Sequence, residues 1–276
     1  MEPIQVMING LPGNMSQVAL KHVLGDSRFR PLPYSLTGPE ISDTAFRQEG
    51  LNIQLLRPDV RDTAIAEIKS SAGDFISVDY THPSAVNANA DFYCTNDLPF
   101  VMGTTGGDRK KIEDRVTTSS IAAVVAPNMA KQIVGFQAMM EYASKKFPKL
   151  FDGYTLSIKE SHQQGKADTS GTAKAMVKYF NELGTPFKEE DIVKERDPDS
   201  QQNQWGIPAA YLRGHGWHTY SLVSADQTVT FEFIHNVNGR EIYGGGTLDA
   251  IVYLQQKLAQ GAKGRMFSMI DVLTDA

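Results

Sequence analysis

Short apolar runs alternate with longer polar stretches over the first 127 residues of the chain. The runs lie at residues 4–8, 29–36, 53–56, 75–78, 100–102 and 121–125. Between two of them, residues 58–70 have apolar side chains at helical spacing, namely Val60, Ala64, Ile65 and Ile68. Residues 106–118 form another polar stretch of helical length. Strands that alternate with helices in this way predict an α/β fold with a parallel sheet covered on both faces.

The pattern changes after Pro127. Residues 129–146 and 247–258 predict helices, and a further helix begins near Ser170 with Ala173, Met176, Val177 and Phe180 on one face. Strict alternation at residues 154–159 and 228–234, where Val229, Phe231 and Phe233 share a side, predicts strands with one wet face. Residues 188–204 are polar and charged and predict a solvated loop. This part therefore predicts an α+β domain with an open mixed or antiparallel sheet.

Composition excludes several classes of protein. The chain has 276 residues and a formal net charge of −5 with acidic and basic residues interspersed, which disfavours a nucleic-acid surface. Cys94 is the single cysteine, so no intrachain disulfide is expected. We find no apolar run of membrane-spanning length and no signal-peptide pattern. We expect a cytoplasmic protein without a metal site, or a plastid stromal one if a transit peptide has been removed from a plant or algal chain.

A glycine turn follows the first apolar run. Gly10 and Gly13 precede Asn14 and Met15 at the start of a predicted helix, an arrangement that can hold a pyrophosphate against free backbone N–H groups. The dinucleotide motif is degraded, because Pro12 replaces the middle glycine and a serine replaces the last. Taken alone, the segment is equally consistent with a strand, turn and helix that bind no nucleotide.

The second predicted strand bears on the choice of cofactor. An acid at its end would bind the adenosine ribose and favour NAD, yet no acid occurs before Glu40. Ser35 and Thr37 are placed to donate hydrogen bonds to a 2′-phosphate. We therefore expect NADPH as the cofactor, with NADH as the alternative.

Residues 160–173 carry the most chemistry. Ser170 or Thr169 can cap a helix at whose start Gly171 and Thr172 present free N–H groups, a site suited to a carboxylate. Lys166 adds a positive charge, and His162 can donate a proton near neutral pH. A capped helix, a surface turn and a structural histidine would explain the same residues without any catalytic role.

This segment resembles the signature of the dihydrodipicolinate reductase family. The matching residues are Glu160, His162, Lys166, Asp168, Ser170, Gly171, Thr172 and Ala173. Gln163 replaces the second histidine of the signature, as in the plant-type branch that the chain resembles. Further family motifs follow in order at residues 10–15, 79–83, 103–106 and 126–130, and at Arg240 with glycines 244–246.

The resemblance implies a Rossmann-like dinucleotide-binding domain, residues 1–128 with 246–276. It also implies a substrate-binding domain, residues 129–245, that forms a homotetramer. The implied activity is NAD(P)H-dependent reduction of 4-hydroxy-tetrahydrodipicolinate, a small dicarboxylate, to tetrahydrodipicolinate in lysine and diaminopimelate biosynthesis.

The resemblance also assigns roles to individual residues. Gly10, Gly13, Asn14 and Met15 would hold the cofactor phosphates, and Gly103, Thr105, Ala126, Pro127 and Asn128 would lie near the nicotinamide. His162 would be the proton donor. The substrate would be gripped by Lys166, Ser170, Gly171 and Thr172 with help from Thr105, and Gln163 stands where the family has a substrate-contacting histidine.

Two other interpretations remain open at this point. One is a different two-domain oxidoreductase, similar to aspartate or homoserine dehydrogenase. Such enzymes lack the motif that His162, Lys166 and Asp168 form here, ahead of a Ser-Gly-Thr sequence. The other is a catalytically inactive dinucleotide sensor, which Gln163 and the degraded glycine turn favour.

Overall fold

The computed structural model describes residues 2–275. The strands are β1 Ile4–Asn9, β2 Phe29–Pro31, β3 Tyr34–Leu36, β4 Ala45–Gln48, β5 Leu51–Leu56, β6 Ile76–Asp79, β7 Phe100–Met102, β8 Ala122–Val125, β9 Thr155–His162, β10 Val193–Glu195, β11 His215–Val223, β12 Thr230–Asn238 and β13 Arg265–Phe267. The helices are α1 Asn14–Leu24, α2 Arg61–Ala72, α3 Val86–Thr95, α4 Arg109–Thr117, α5 Lys131–Lys146, α6 Gly171–Glu182, α7 Pro198–Asn203, α8 Glu241–Ala259 and α9 Met269–Thr274. Three short 3₁₀ turns, Pro83–Ala85, Glu189–Asp191 and Ala209–Tyr211, complete the described elements.

The chain divides into two compact units, residues 1–131 with 241–276 and residues 132–240. The divisions predicted from the sequence lie after residues 128 and 245. The carboxyl-terminal segment thus belongs to the same unit as the amino-terminal part, and each unit is described by itself below.

Unit 1 is built on a six-stranded sheet with the order β13-β8-β7-β6-β1-β2. Its strand pairs are parallel throughout. The central strands are buried on both faces, which explains why they read as continuous apolar runs rather than alternating ones. This confirms the predicted Rossmann-like architecture and brings the carboxyl ends of β1, β6, β7 and β8 to one edge, where such folds bind ligands.

The apolar run at residues 29–36 is wrongly predicted as one strand. Phe29–Pro31 pairs with β1, whereas Tyr34–Leu36 pairs with β5 in a separate three-stranded sheet of order β3-β5-β4. The prolines at 31 and 33 explain the break, because proline has no N–H with which to continue a ladder of hydrogen bonds. The run at residues 53–56 consequently lies in this smaller sheet as well.

Unit 2 contains a four-stranded mixed sheet of order β10-β9-β11-β12. β10 runs parallel to β9, and β11 runs antiparallel to both of its neighbours. One face of the sheet packs on α5 and α6 around a core that includes Met140, Leu156, Ile158, Met176, Phe180 and Tyr220. The predicted open mixed sheet is confirmed.

The prediction that residues 188–204 form a solvated loop is wrong. Strand β10 and helix α7 both lie in this segment, and Ile192 and Gln201 are buried. The sequence could not show this, because the buried residues are isolated among polar ones and produce neither a helical nor an alternating pattern.

Strand β12 presents its predicted apolar side to the interior of unit 2. Phe233 contacts Phe136 and Phe180, and Phe231 contacts Phe151. The unit's own helices thus cover this side at Phe233, whereas Phe231 is 43% exposed and Val229, just before the strand, is 40% exposed. On the other side of the same strand, the Ile234 side chain is 57% exposed.

Candidate functional site

The turn after β1 in unit 1 has a backbone that only glycine fits at Gly10. Its φ is +101°, and a Cβ atom there would lie 2.3 Å from the carbonyl oxygen of Tyr80. Gly13 then caps α1 without any side chain bonded to the first turn of the helix. The backbone N–H groups of Asn14 and Met15, at the helix start, therefore have no intrahelical acceptor and can bind an anion.

The serine at the last position of the degraded motif has a structural explanation. Ser16 is fully buried, and its hydroxyl donates to the carbonyl of Asn9 at 3.2 Å. The side chain thereby ties the helix to the end of β1, so the loss of the third glycine leaves the turn intact.

A cleft of about 780 Å³ opens beside this turn within unit 1. Its lining comes from the turn at residues 10–13, from residues 36–41 after β3, from Arg61, and from residues 80–89. A volume of this order is typical of a small-molecule or nucleotide site.

The residues that follow β3 have a different arrangement from the one predicted. Ser35 is fully buried, and its hydroxyl donates to the carbonyl of Leu36 and accepts from the amide of Leu11, so its predicted phosphate contact is wrong. Thr37 lines the cleft, but its hydroxyl donates to the carbonyl of Leu11 at 2.8 Å. These two side chains hold the glycine turn in place.

Two oppositely charged residues line the same cleft. Glu40 folds back over Gly38, where a Cβ atom would lie 2.3 Å from its carboxylate oxygens. Arg61 lies with its guanidinium 4.5 Å from the centre of the Phe92 ring. In the sequence, Glu40 is recognisable only as the first acid after the strand, and no motif marks Arg61.

A buried carboxylate organises the carboxyl edge of the sheet. Asp79, at the end of β6, accepts hydrogen bonds from the hydroxyls of Thr81, Thr104 and Tyr93 at 2.9, 2.6 and 2.7 Å, and from the Asn89 amide at 3.0 Å. The network fixes the loops after β6 and β7. Sequence reasoning missed this role, because the partners are scattered along the chain.

The remaining predicted cofactor residues lie after β7 and β8. A Cβ atom on Gly103 would lie 2.3 Å from the Tyr80 ring, so glycine allows this close approach. Thr105 is exposed. Ala126 is buried, Pro127 is exposed, and the side chain of Asn128 accepts the amide of Ala130 at 2.9 Å. All follow the strand ends at which a doubly wound sheet binds its ligand.

In unit 2, His162 ends β9 with a fixed ring orientation. Its Nδ1 lies 3.0 Å from the carbonyl oxygen of His215, so this nitrogen carries the proton and donates it. Its Nε2 is buried and has no hydrogen-bond partner among the described residues. Burial, followed by repulsion from His218, lowers the pKa of His162 to about 4. The free protein thus holds a neutral imidazole, and the predicted proton donation requires that His162 first take up a proton.

The helix start after residue 170 has the predicted form. The hydroxyl of Ser170 accepts the amide of Ala173 at 3.0 Å, which confirms Ser170 as the helix cap. Gly171 is exposed and Thr172 half-buried, and their N–H groups lie in the first turn of α6. The start of this twelve-residue helix can therefore bind an anion, and together with Lys166 it forms what we call the anion cradle.

Ser170 was predicted to bind the substrate, but its polar groups already have partners within the protein. Its amide donates to Glu160 at 3.1 Å, and its hydroxyl lies 2.9 Å from Nε2 of His218 in addition to capping the helix. The side chain is buried, so it shapes the cradle instead of contacting a ligand.

The loop between β9 and α6 carries the predicted cation. Nζ of Lys166 lies 2.7 Å from the carboxylate of Asp168, and the two side chains are 22% and 74% exposed. A substrate carboxylate would therefore compete with Asp168 for this ammonium group. Gln163 is half-buried, and its carbonyl accepts the amide of Lys166 to form the turn.

Three side chains in unit 2 have the composition of a metal site. Donor atoms of Glu160, His162 and His218 lie within 4.8 Å of one another. The carboxylate of Glu160, however, already accepts hydrogen bonds from Arg196 and from the amide of Ser170. The arrangement is explained without an ion, and the absence of a metal stays a prediction.

Several residues of this site were not found from the sequence. They are Arg196, Gln201, His215 and His218, all of which contact residues 160–170. They come from segments without a recognisable motif, and pairing in the sheet brings them to the loop.

Within residues 2–275, no helix has the length and apolarity needed to cross a membrane.

Comparison with known proteins covers nearly the whole chain. Family models described as dihydrodipicolinate reductase N-terminus and C-terminus match residues 4–129 and 133–273. The chain is 41% identical over 272 residues to 4-hydroxy-tetrahydrodipicolinate reductase 1, chloroplastic, of Arabidopsis thaliana, covering 99% of this chain and 78% of the relative. It is 40% identical over 270 residues to a probable reductase 2 of the same name from Oryza sativa, covering 98% and 83%.

A solved structure shares the fold. The dipicolinate-bound dihydrodipicolinate reductase from Paenisporosarcina sp. TG-14 aligns with a TM-score of 0.67 and 20% identity, covering 96% of this chain and 97% of the other. The matches confirm the resemblance that the sequence motifs indicated.

Proposed function

We propose that the chain, which belongs to the dihydrodipicolinate reductase family, reduces 4-hydroxy-tetrahydrodipicolinate to tetrahydrodipicolinate with a nicotinamide cofactor. The observation that carries the proposal is the anion cradle of unit 2. There the start of α6, Lys166 and His162 come together on one short loop and its flanking strand. A dicarboxylate needs such N–H groups and cations, whereas a dinucleotide sensor has no use for them.

The residues of unit 1 fit a dinucleotide. The turn at Gly10 leaves no room for a side chain, the start of α1 offers uncapped N–H groups, and the cleft beside them has a volume of about 780 Å³. Gly13, Asn14 and Met15 would hold the pyrophosphate there, and the loops after β7 and β8 would hold the nicotinamide. The 4-hydroxyl group must leave as water, which creates a carbon–carbon double bond conjugated with the substrate imine. The cofactor, when bound, would supply a hydride to the far carbon of that bond.

The residues of unit 2 would bind and protonate the substrate. The N–H groups of Gly171 and Thr172, with Lys166, bind carboxylates and orient the ring. Reduction leaves electron density on the neighbouring carbon or nitrogen, and a proton must neutralise it. His162 would donate that proton from Nε2 after two substrate carboxylates have raised its pKa and driven its protonation.

The cofactor preference is proposed to be NADPH, with NADH also used. Arg61 lines the cleft and can bind a 2′-phosphate. Glu40 lines it as well and can accept from the ribose hydroxyls of NADH. The preference would thus depend on these two side chains and not on Ser35.

The proposal also includes a homotetramer formed through unit 2. Strand β12 lies at an edge of its sheet in the described part of the chain, and Ile234 is exposed on the side away from the unit's helices. Light scattering at micromolar concentration would measure the mass, and a monomer would contradict the tetramer.

For the compartment we propose the cytoplasm, or the plastid stroma, as the chloroplastic relatives suggest for a plant or algal chain.

A steady-state assay tests the proposed activity. Freshly prepared 4-hydroxy-tetrahydrodipicolinate and NADPH are mixed with the protein, and NADPH consumption is followed against a reaction without substrate. We expect substrate-dependent oxidation that dipicolinate inhibits competitively. NADPH binding without any turnover would instead support the inactive sensor.

A further inference from the structure

A buried acid lies behind the anion cradle of unit 2. The side chain of Glu160, on β9, is fully buried, and one of its oxygens accepts the amide of Ser170 at 3.1 Å. This bond fixes the residue that caps α6. It also places a negative charge next to the group of N–H donors that would receive the substrate carboxylates. Left unpaired, that charge would repel a dianion.

Arg196 supplies the matching positive charge from the segment after β10. Its Nη2 donates to the other oxygen of Glu160 at 2.5 Å, and its side chain is 17% exposed. The same guanidinium also reaches the loop backbone, because Nε donates to the carbonyl of Lys166 at 2.8 Å and Nη2 approaches the carbonyl of Asp168 at 3.4 Å. The planar guanidinium of Arg196 thus links the buried Glu160 to the backbone at Lys166 and Asp168.

We infer that Arg196 is a positioning residue for the dicarboxylate substrate, an inference that rests on the proposed function. Its guanidinium neutralises Glu160, so that the acid can hold the amide of Ser170 without repelling an anion. It also fixes the carbonyls of Lys166 and Asp168, which sets the conformation from which the Lys166 ammonium meets a carboxylate.

The surroundings of Glu160 support the need for this neutralisation. Burial raises the pKa of Glu160, but His218, Arg196 and the amide of Ser170 together bring it well below its ordinary value. The acid is therefore ionised at neutral pH. Two histidines also face the carboxylate: Nε2 of His218 lies 3.7 Å from it and Nε2 of His162 lies 3.9 Å from it. Nε2 of His218 also contacts the Ser170 hydroxyl at 2.9 Å, and His162 is neutral in the free protein, whereas an arginine keeps its charge at every pH of interest. Arg196 is thus the cation that offsets the charge.

The test compares dipicolinate affinity in four proteins by calorimetry: the wild type, Arg196→Gln, the double variant Glu160→Gln with Arg196→Gln, and the control Lys194→Gln. Lys194 is exposed on β10, two residues earlier, so its replacement removes the same charge without touching the loop. Melting temperature and NADPH affinity are measured for each protein to show that both units remain folded.

We expect Arg196→Gln to weaken dipicolinate binding by about tenfold or more, the usual effect of losing hydrogen bonds that involve a charged group. The double variant should recover a large part of this loss, because the unpaired carboxylate is then gone. Lys194→Gln should bind dipicolinate as the wild type does, and NADPH affinity should be the same in all four proteins.

Other outcomes would overturn the inference. Equal affinities of Arg196→Gln and Lys194→Gln would exclude a role for Arg196 in substrate positioning while leaving the proposed function intact. A double variant no tighter than Arg196→Gln would refute neutralisation as its mechanism. If Arg196→Gln does not fold, Arg196→Lys is measured in its place. Wild-type dipicolinate affinity in Arg196→Lys would refute the claim that the planar guanidinium and its several hydrogen bonds are required. Failure of the wild type to bind dipicolinate would remove the proposed function together with the inference.

Discussion

The Nδ1 atom of His162 lies 3.0 Å from the carbonyl oxygen of His215, and a carbonyl can only accept a hydrogen bond. The neutral ring therefore keeps its proton on Nδ1 and presents an unprotonated Nε2. For His162 to act as the acid, a second proton must be taken up when the substrate binds. The bond to His215 then serves to hold the ring while the protonation state of Nε2 changes.

Dipicolinate binding should be accompanied by proton uptake at pH values above about 4. The pKa of His162 is lowered to about 4 in the free protein, and a bound dianion raises it. Between the pKa of about 4 and the higher pKa of the complex, only the complex is protonated, so affinity should increase as the pH falls through the pKa of the complex and should level off below about 4. Calorimetry in two buffers of different ionisation enthalpy measures the uptake. A His162→Gln variant that shows the same uptake would exclude His162 as its source.

His162→Ala should lower kcat by roughly 10²–10⁴-fold, the usual contribution of a general acid, with a smaller change in KM. NADPH affinity should not change, because the residue lies in unit 2. Steady-state kinetics with saturating NADPH measure both parameters. If the variant keeps more than about a third of the wild-type kcat, water or Lys166 is the better candidate for the proton donor.

Lys166 and Asp168 should have opposite effects on substrate binding. Lys166→Ala removes a cation from the cradle and should raise KM for the substrate. Asp168→Asn frees the ammonium group that Asp168 now binds at 2.7 Å, so KM should stay constant or fall. Measuring KM for both variants shows whether Asp168 competes with the substrate for Lys166 or supports substrate binding. A rise in KM for Asp168→Asn comparable with that for Lys166→Ala would show that the ion pair itself is required.

Glu40 and Arg61 should set the cofactor preference. Arg61→Gln should lower kcat/KM for NADPH more than for NADH, because it removes the cation that meets the 2′-phosphate. Glu40→Gln should shift the ratio towards NADPH, since a carboxylate repels that phosphate. Ser35→Ala serves as the control, because Ser35 is buried behind the turn. If the ratio of kcat/KM for NADPH to kcat/KM for NADH is unchanged in both Arg61→Gln and Glu40→Gln, the ribose binds elsewhere.

The fold could largely be predicted because its strands carry strong periodic signals. The buried strands of unit 1 are short apolar runs, and β9 alternates as a strand with one wet face should. The two predictions of secondary structure that were wrong, at residues 29–36 and 188–204, each have a local cause. The break at Pro31 and Pro33 separates two strands that hydropathy alone joins, and β10 contributes too few apolar residues to be seen.

The candidate site was only half accessible from the sequence. Residues close together in the chain, such as His162, Lys166 and the start of α6, could be grouped by motif and spacing. Arg196 and His218 could not, because their proximity to Glu160 depends on the order and register of the strands. Ser35 was misjudged for a related reason, since the direction of a side chain at a strand end depends on the turn that packs against it.

The central claim is that a hydride passes from a nicotinamide cofactor to a carbon of the dicarboxylate. The direct measurement uses NADPH deuterated on both faces of the transferring carbon, with mass spectrometry of the tetrahydrodipicolinate formed. The account predicts that each product molecule carries one deuterium and that its formation equals the NADPH consumed. Product without deuterium, or no product while both ligands bind, would contradict it.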